Sequence, residues 1–141
     1  MESFQECIVF LLAKAYQRSH AVIKDRLKPF DLTPVQQLIL AALEEEDGLA
    51  ACELGRRLGL DGATLSGVLE RMADKGWVLK TDDPMDRRLV RISLSPRARR
   101  LCPEVVLARE AANQEILEGL SLEERVLLKR LLKDIRTRTP L

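Results

Sequence analysis

Arg87 and Arg88 stand side by side in DDPMDRRLVRISLS, residues 82–95. An acidic segment with a proline precedes them, and a run of alternating apolar and polar residues follows. Two adjacent guanidiniums on a projecting loop suit a polyanion. A narrow minor groove of DNA concentrates negative potential and attracts arginine. Pro84 stiffens the loop, so less entropy is lost on docking. Asp86 can brace one arginine and aim the other. A plainer reading makes Asp86 and Arg88 a surface pair that fixes the turn, and for those two residues both readings stand.

Other residue types that do chemistry are sparse. Cys7, Cys52 and Cys102 are far apart and odd in number, which is neither a disulfide framework nor a Cys-x-x-Cys zinc pattern. With His20 as the single histidine, the side chains do not assemble a metal site. There is no nucleophile elbow and no phosphate-binding glycine-rich loop, so neither an enzyme nor a cofactor is expected.

Charge is high and balanced, with 23 Lys and Arg against 22 Asp and Glu. It is unevenly distributed: residues 1–55 hold 5 basic and 9 acidic side chains, residues 56–100 hold 11 and 6, and residues 101–141 hold 7 and 7. The basic face therefore lies in the middle third. A local patch matters more than total charge for attracting nucleic acid. No signal peptide or bilayer-spanning apolar run is legible, so a cytoplasmic protein without membrane contact is expected.

The elements that must position these residues read as follows. Phe4, Ile8, Leu11, Leu12, Ala15, Val22, Ile23 and Leu27 recur at threes and fours, predicting one long helix over 4–28 that Pro29 stops. Thr33, Pro34 and Gln36 start the next helix with a capping box. A short helix over 50–58 ends at Gly59, and Asp61 caps another over 62–75 that Gly76 ends. Two short helices joined by a tight turn are a helix-turn-helix. The period then changes from 3.6 to 2: WVLKT and LVRISLS are strands of a hairpin whose loop carries the two arginines. Ser95 and Pro96 start a further helix, which Pro103 should kink. Ser121 and Glu124 begin the last one, with Val126, Leu127, Leu131, Leu132 and Ile135 on a stripe.

The expected fold is mainly α, a winged helix-turn-helix with a two-stranded β wing between terminal helices. Residues 1–32 and 96–141 are read as dimerisation helices and 33–95 as the DNA-binding lobe, with the helix-turn-helix at 50–75 and the wing at 77–95. The terminal helices carry apolar stripes with no further element left to cover them, so a second copy is the expected cover.

LTPVQQLIL (32–40), ELGRRLGLDGATLSGVLERMADKGWV (53–78) and DDPMDRRLVRISLS (82–95) together resemble the MarR (multiple-antibiotic-resistance) family over about residues 31–101. The Asp-Pro-x-Asp-Arg-Arg wing is the most specific of these stretches. The resemblance implies a homodimeric, ligand-responsive transcriptional regulator, a repressor that binds a palindromic double-stranded operator. It also implies release by a small organic effector, aromatic or phenolic, held between dimer arms and lobe by the first, second and fifth helices. Tyr16, His20 and Phe30 are the candidate lining residues there, and Arg18 or Lys24 the partner of a carboxylate. Tyr16 and His20 also fit ordinary packing or surface positions.

The DNA-contacting candidates are Thr64, Ser66, Arg71, Arg87 and Arg88, with Asp86 as a wing-structure residue. Where many relatives begin the recognition helix Ser-Thr-Val-Thr-Arg, this chain has Ala63, Thr64, Leu65, Ser66 and Gly67. Gly67 has no side chain to contact guanine, which shifts weight to the wing and to DNA shape. Thr64 and Ser66 remain as hydroxyl contacts, and Arg71 as a phosphate contact or intramolecular brace. An alternative trigger is cysteine oxidation, which some relatives use at a cysteine just before Phe-Leu-Leu on the first helix. Here that place holds Val9, and Cys7 lies two residues earlier. Cys52 and Cys102 read as small core residues. A winged helix that binds only protein is the remaining rival, and the wing arginines argue against it.

Overall fold

A computed structural model describes residues 2–137. The chain folds in the order α1 (Ile8–Leu27), α2 (Pro34–Glu45), β1 (Leu49–Ala50), α3 (Ala51–Leu58), α4 (Gly62–Asp74), β2 (Val78–Asp82), β3 (Val90–Leu94), α5 (Pro96–Ile116) and α6 (Leu122–Thr137), with a 3-10 turn on either side of α1.

The expected helix over 4–28 is divided. Phe4–Glu6 form a 3-10 turn, extended Cys7 interrupts it, and α1 starts at Ile8. α1 ends at Leu27, before Pro29 as expected, and Lys28–Phe30 follow as a 3-10 turn in which Pro29 sits near the start, where its missing N–H costs nothing. Left-handed Asp31 (φ 52°) ends it. The capping box of α2 is present in both directions: Gln36 N–H donates to Thr33 Oγ1 (3.2 Å) and Thr33 N–H to Gln36 Oε1 (3.0 Å). α3 begins without a side-chain cap at Ala50, as its sequence implies, and ends on left-handed Gly59. Asp61 caps α4 by accepting from Thr64 N–H at 2.8 Å.

The expected two-stranded wing is present as the β2–β3 hairpin, and β1 adds a third strand that is not among the expected elements. The antiparallel order is β1-β3-β2, with Leu49 opposite Ile92 and Val78 opposite Leu94. A two-residue strand leaves no alternation to read in a sequence, and Leu49 and Ala50 are both buried where β1 pairs with β3. The β2 strand begins at Val78 rather than Trp77, which is buried in the core with the Arg97 guanidinium over its ring at 4.8 Å. α5 runs through Pro103 as one continuous helix.

The core is centred on the lobe and takes in the end of α1 and the first half of α5. Ile39, Leu40 and Leu43 of α2, Leu54 of α3, Leu69 and Met72 of α4, Trp77, Ile92 and Val105 are buried together. The arms are different. α1 packs on α5, but Ile8, Val9 and Leu11 stay exposed, and α6 buries no residue at all within the chain. The Ser121–Glu124 capping box starts α6 as expected, and Val126, Leu127, Leu131 and Ile135 all face out.

Candidate nucleic-acid interface

The recognition helix and the wing meet along a cleft of about 370 Å³ between α4 and the β2–β3 hairpin, with Ser66, Lys80 and Arg88 on its walls. The wing loop is built on Asp83, a residue to which the sequence alone assigns no role. Its carboxylate accepts from the backbone N–H of Met85 (2.8 Å) and of Asp86 (3.0 Å) and from Arg91 Nε (2.7 Å). Arg91 also donates to the Gly48 carbonyl, which ties the hairpin to the start of β1. The Arg91 guanidinium, then the Met85 N–H, hold the Asp83 carboxyl below the usual carboxylate range. An acid eight residues before an arginine on the return strand is the signal that points to this brace.

Asp86 pairs with Arg88 through Nε and Nη2, both at 3.1 Å, and accepts the Arg88 backbone N–H at 3.0 Å. Arg88 lowers the Asp86 carboxyl from its ordinary value. The two readings of this pair are compatible, because the Arg88 side chain remains 89% exposed beyond its partner. Arg87 is exposed at the tip and has no acid within ion-pair distance among the described residues.

On α4, Thr64 donates its hydroxyl proton to Asp61 at 2.9 Å, so the same hydroxyl offers only acceptor lone pairs to a ligand. Of the hydroxyl contacts expected of Thr64, this conformation leaves it those in which it accepts. Asp61 is lowered by the Thr64 N–H and hydroxyl together. Ser66 is exposed on the outer face of the helix. Arg71 is also exposed, and its guanidinium lies over Gly67, with Nη1 3.5 Å from where a Cβ would stand. The arginines of α3 are committed differently: Arg56 and Arg57 both hold Glu53, whose carboxyl falls to about 2, with Arg56 the larger influence.

A second cleft, of about 340 Å³, opens between α1, α2 and α5. Tyr16 and His20 line it with ring centroids 5.6 Å apart, together as expected. Phe30 does not, because its ring packs against the lobe core instead. The cation in this cleft is neither Arg18, which donates to the Ile116 carbonyl, nor Lys24, which does not line it. It is Arg109 of α5, which donates to Gln37 Oε1 at 2.6 Å and approaches Glu44 at 3.5 Å. Arg109 lies 89 residues beyond His20, a separation no sequence spacing rule bridges.

The cysteines divide. Cys102 is buried, and burial pushes its thiol up to about 12. Cys52 is exposed, contrary to its expected place in the core, because it occupies the outer side of α3 at the wing cleft. Cys7 is exposed at the N-terminus of α1, outside the helix. Among the described residues no cluster of His, Cys, Asp and Glu could hold a metal ion, and no helix is long and apolar enough to cross a membrane.

A helix-turn-helix followed by an arginine-tipped hairpin defines a winged-helix DNA-binding protein. The family model described as MarR family matches residues 30–89. The transcriptional repressor NicR of Pseudomonas putida is 30% identical over 91% of this chain and 81% of its own length. The fold superposes on Bordetella bronchiseptica BpsR, whose DNA binding is regulated by 6-hydroxynicotinic acid, with a TM-score of 0.91 at 31% identity, covering 99% of each chain. It also superposes on a mutant Escherichia coli MarR complexed with operator DNA, with a TM-score of 0.85 at 27% identity, covering 96% of this chain and 99% of that one. The chain belongs to the MarR family of transcriptional regulators, which are DNA-binding proteins and not enzymes.

Proposed function

We propose that the protein is a homodimeric repressor that binds a palindromic operator and is released by a small aromatic carboxylate. The exposed stripes of α1 and α6 support a second copy as their cover. In this reading residues 1–32 and 96–141, of which 1 and 138–141 lie outside the described residues, are the dimer arms, and each lobe of 33–95 lays α4 in a major groove. Ser66 faces the bases, Thr64 accepts rather than donates, and Arg87 and Arg88 carry the wing to the backbone or neighbouring minor groove.

The observation that carries the effector reading is Arg109 in the α1–α2–α5 cleft. Its guanidinium joins an arm helix to a lobe helix through Gln37 and Glu44. Tyr16 and His20 form an aromatic wall beside it. A ring carboxylate fits this combination, because a guanidinium receives carboxylate oxygens with two parallel N–H groups. Competition for Arg109 loosens its hold on α2 and favours a different spacing of the two lobes. A ligand acts only through its differential affinity for the two arrangements. 6-Hydroxynicotinic acid, which regulates DNA binding by the Bordetella relative, is of this class and is the natural first probe.

Fluorescence titration and gel shift with that compound and with salicylate test the reading. Arg109→Gln should keep operator binding and lose the response to the carboxylate. An Arg109→Gln protein that responds as the parent does would refute the assignment. The cysteine-oxidation alternative has less support, since Cys102 is buried with its thiol pushed up to about 12 and Cys7, at the N-cap of α1, lies two residues before the place that Val9 holds.

A further inference from the structure

We propose that Arg71 is the base-reading residue of α4, occupying the surface that Gly67 leaves bare. This rests on α4 being the helix that enters the groove. In a helix-turn-helix the N-terminal part of the recognition helix meets the base edges. By position alone Arg71, in the last turns of the thirteen-residue α4, is poorly placed for that. Its direction changes the outcome. Side chains of an α-helix lean toward the N-terminus, so residue i+4 covers the turn of residue i. The Arg71 guanidinium accordingly lies one turn back, 3.5 Å (Nη1) and 4.0 Å (Nη2) from the Cβ position of Gly67.

Glycine is what makes room for this. Any longer side chain at position 67 would occupy the strip that the guanidinium covers. The charge remains uncommitted: the side-chain hydrogen bonds of α4 among the described residues lie at its start, between Asp61 and Thr64, and Glu70 and Asp74 do not pair with Arg71. The outcome is a planar donor fork on the outer face, next to exposed Ser66. That fork matches the O6 and N7 acceptors of guanine in the major groove with two N–H groups held in one plane, where an ammonium offers a compact point charge. Arg71 thus contributes sequence preference, where a phosphate contact would contribute affinity alone.

The experiment uses the full chain and duplexes enriched from a random library by the parent protein. Each base pair of the enriched half-site is then changed singly and binding measured at fixed salt. For the parent, replacing one G·C pair per half-site should weaken binding by about 5- to 150-fold. Arg71→Ala should lose discrimination at that pair and keep it elsewhere, and Arg71→Lys should keep the parent's salt slope with a preference for the same pair. An Arg71→Ala protein that discriminates at every pair as the parent does would overturn the proposal. So would an Arg71→Ala protein weakened equally on every duplex, the mark of a phosphate contact. A parent that enriches no sequence would overturn the groove assignment of α4 and this inference with it.

Discussion

Arg87→Ala removes a guanidinium that no acid neutralises among the described residues, while Arg88 beside it stays tied to Asp86. In a dimer the substitution removes two such groups at once. Removing one phosphate interaction flattens the plot of log affinity against log salt by about 0.9, so the variant slope should fall by about 2. Between about 50 and 200 mM salt that difference amounts to roughly tenfold, so the parent's advantage is largest at low salt and shrinks as salt rises. A minor-groove contact adds a loss of about 1–3 kcal/mol in operator affinity. Asp86→Ala and Arg88→Ala should both disturb the loop, since each breaks the pair and Asp86 also accepts the Arg88 backbone N–H at 3.0 Å, but only Arg88→Ala also lowers the salt slope. Affinity against log salt for the three variants measures all of this, and circular dichroism should show each one folded, since the tip lies outside the core. An Arg87→Ala protein with the parent's affinity and slope would remove the wing from DNA binding and leave α4 to act alone.

Leu131→Asp together with Leu127→Asp should convert a dimer to a monomer in sedimentation, because both side chains lie on the exposed stripe of α6; a parent chain that sediments as a monomer would refute the dimer arms. Iodoacetamide at about pH 8 should alkylate Cys52, exposed on α3 of the lobe, but spare Cys102, whose thiol stays protonated until the protein unfolds; mass spectrometry counts the adducts. Replacing all three cysteines by serine should leave the carboxylate response intact, and an oxidant response that vanishes in that variant would favour the redox alternative. Asp83 has a lowered folded pKa, so its bracing of the wing is complete above the ordinary carboxylate value of about 4 and is lost as pH falls through the lower folded value. The Met85 and Asp86 amide resonances should therefore move in one acid-side step below about pH 4, and a step between about pH 5 and 8 would contradict the brace.

Local signals were enough for most of the elements. The Thr33 capping box, the Asp61 cap, left-handed Gly59 and the change of period after Gly76 each act over a few residues, and each is present in the fold. The stripe of α6 was legible for the same reason, since helical periodicity declares a face whether or not a neighbour covers it. What the sequence could not decide depends on residues brought together from a distance. The β1 strand exists because Leu49 meets Ile92, and the wing brace because Asp83 meets Arg91 across the hairpin. The cleft cation is Arg109 because α5 packs on α1 and reaches α2, whereas Phe30, nearer in sequence to the other aromatics, turns into the core. The role of Arg71 is of another kind, since Gly67 is only four residues away on the same helix. Gly67 reads as a gap in one dimension, and only the lean of side chains along a helix carries a guanidinium back over it. Sequence order specifies caps, turns and faces because their partners are three or four residues away, but the direction in which a long side chain lies is settled by whatever the fold leaves open beside it.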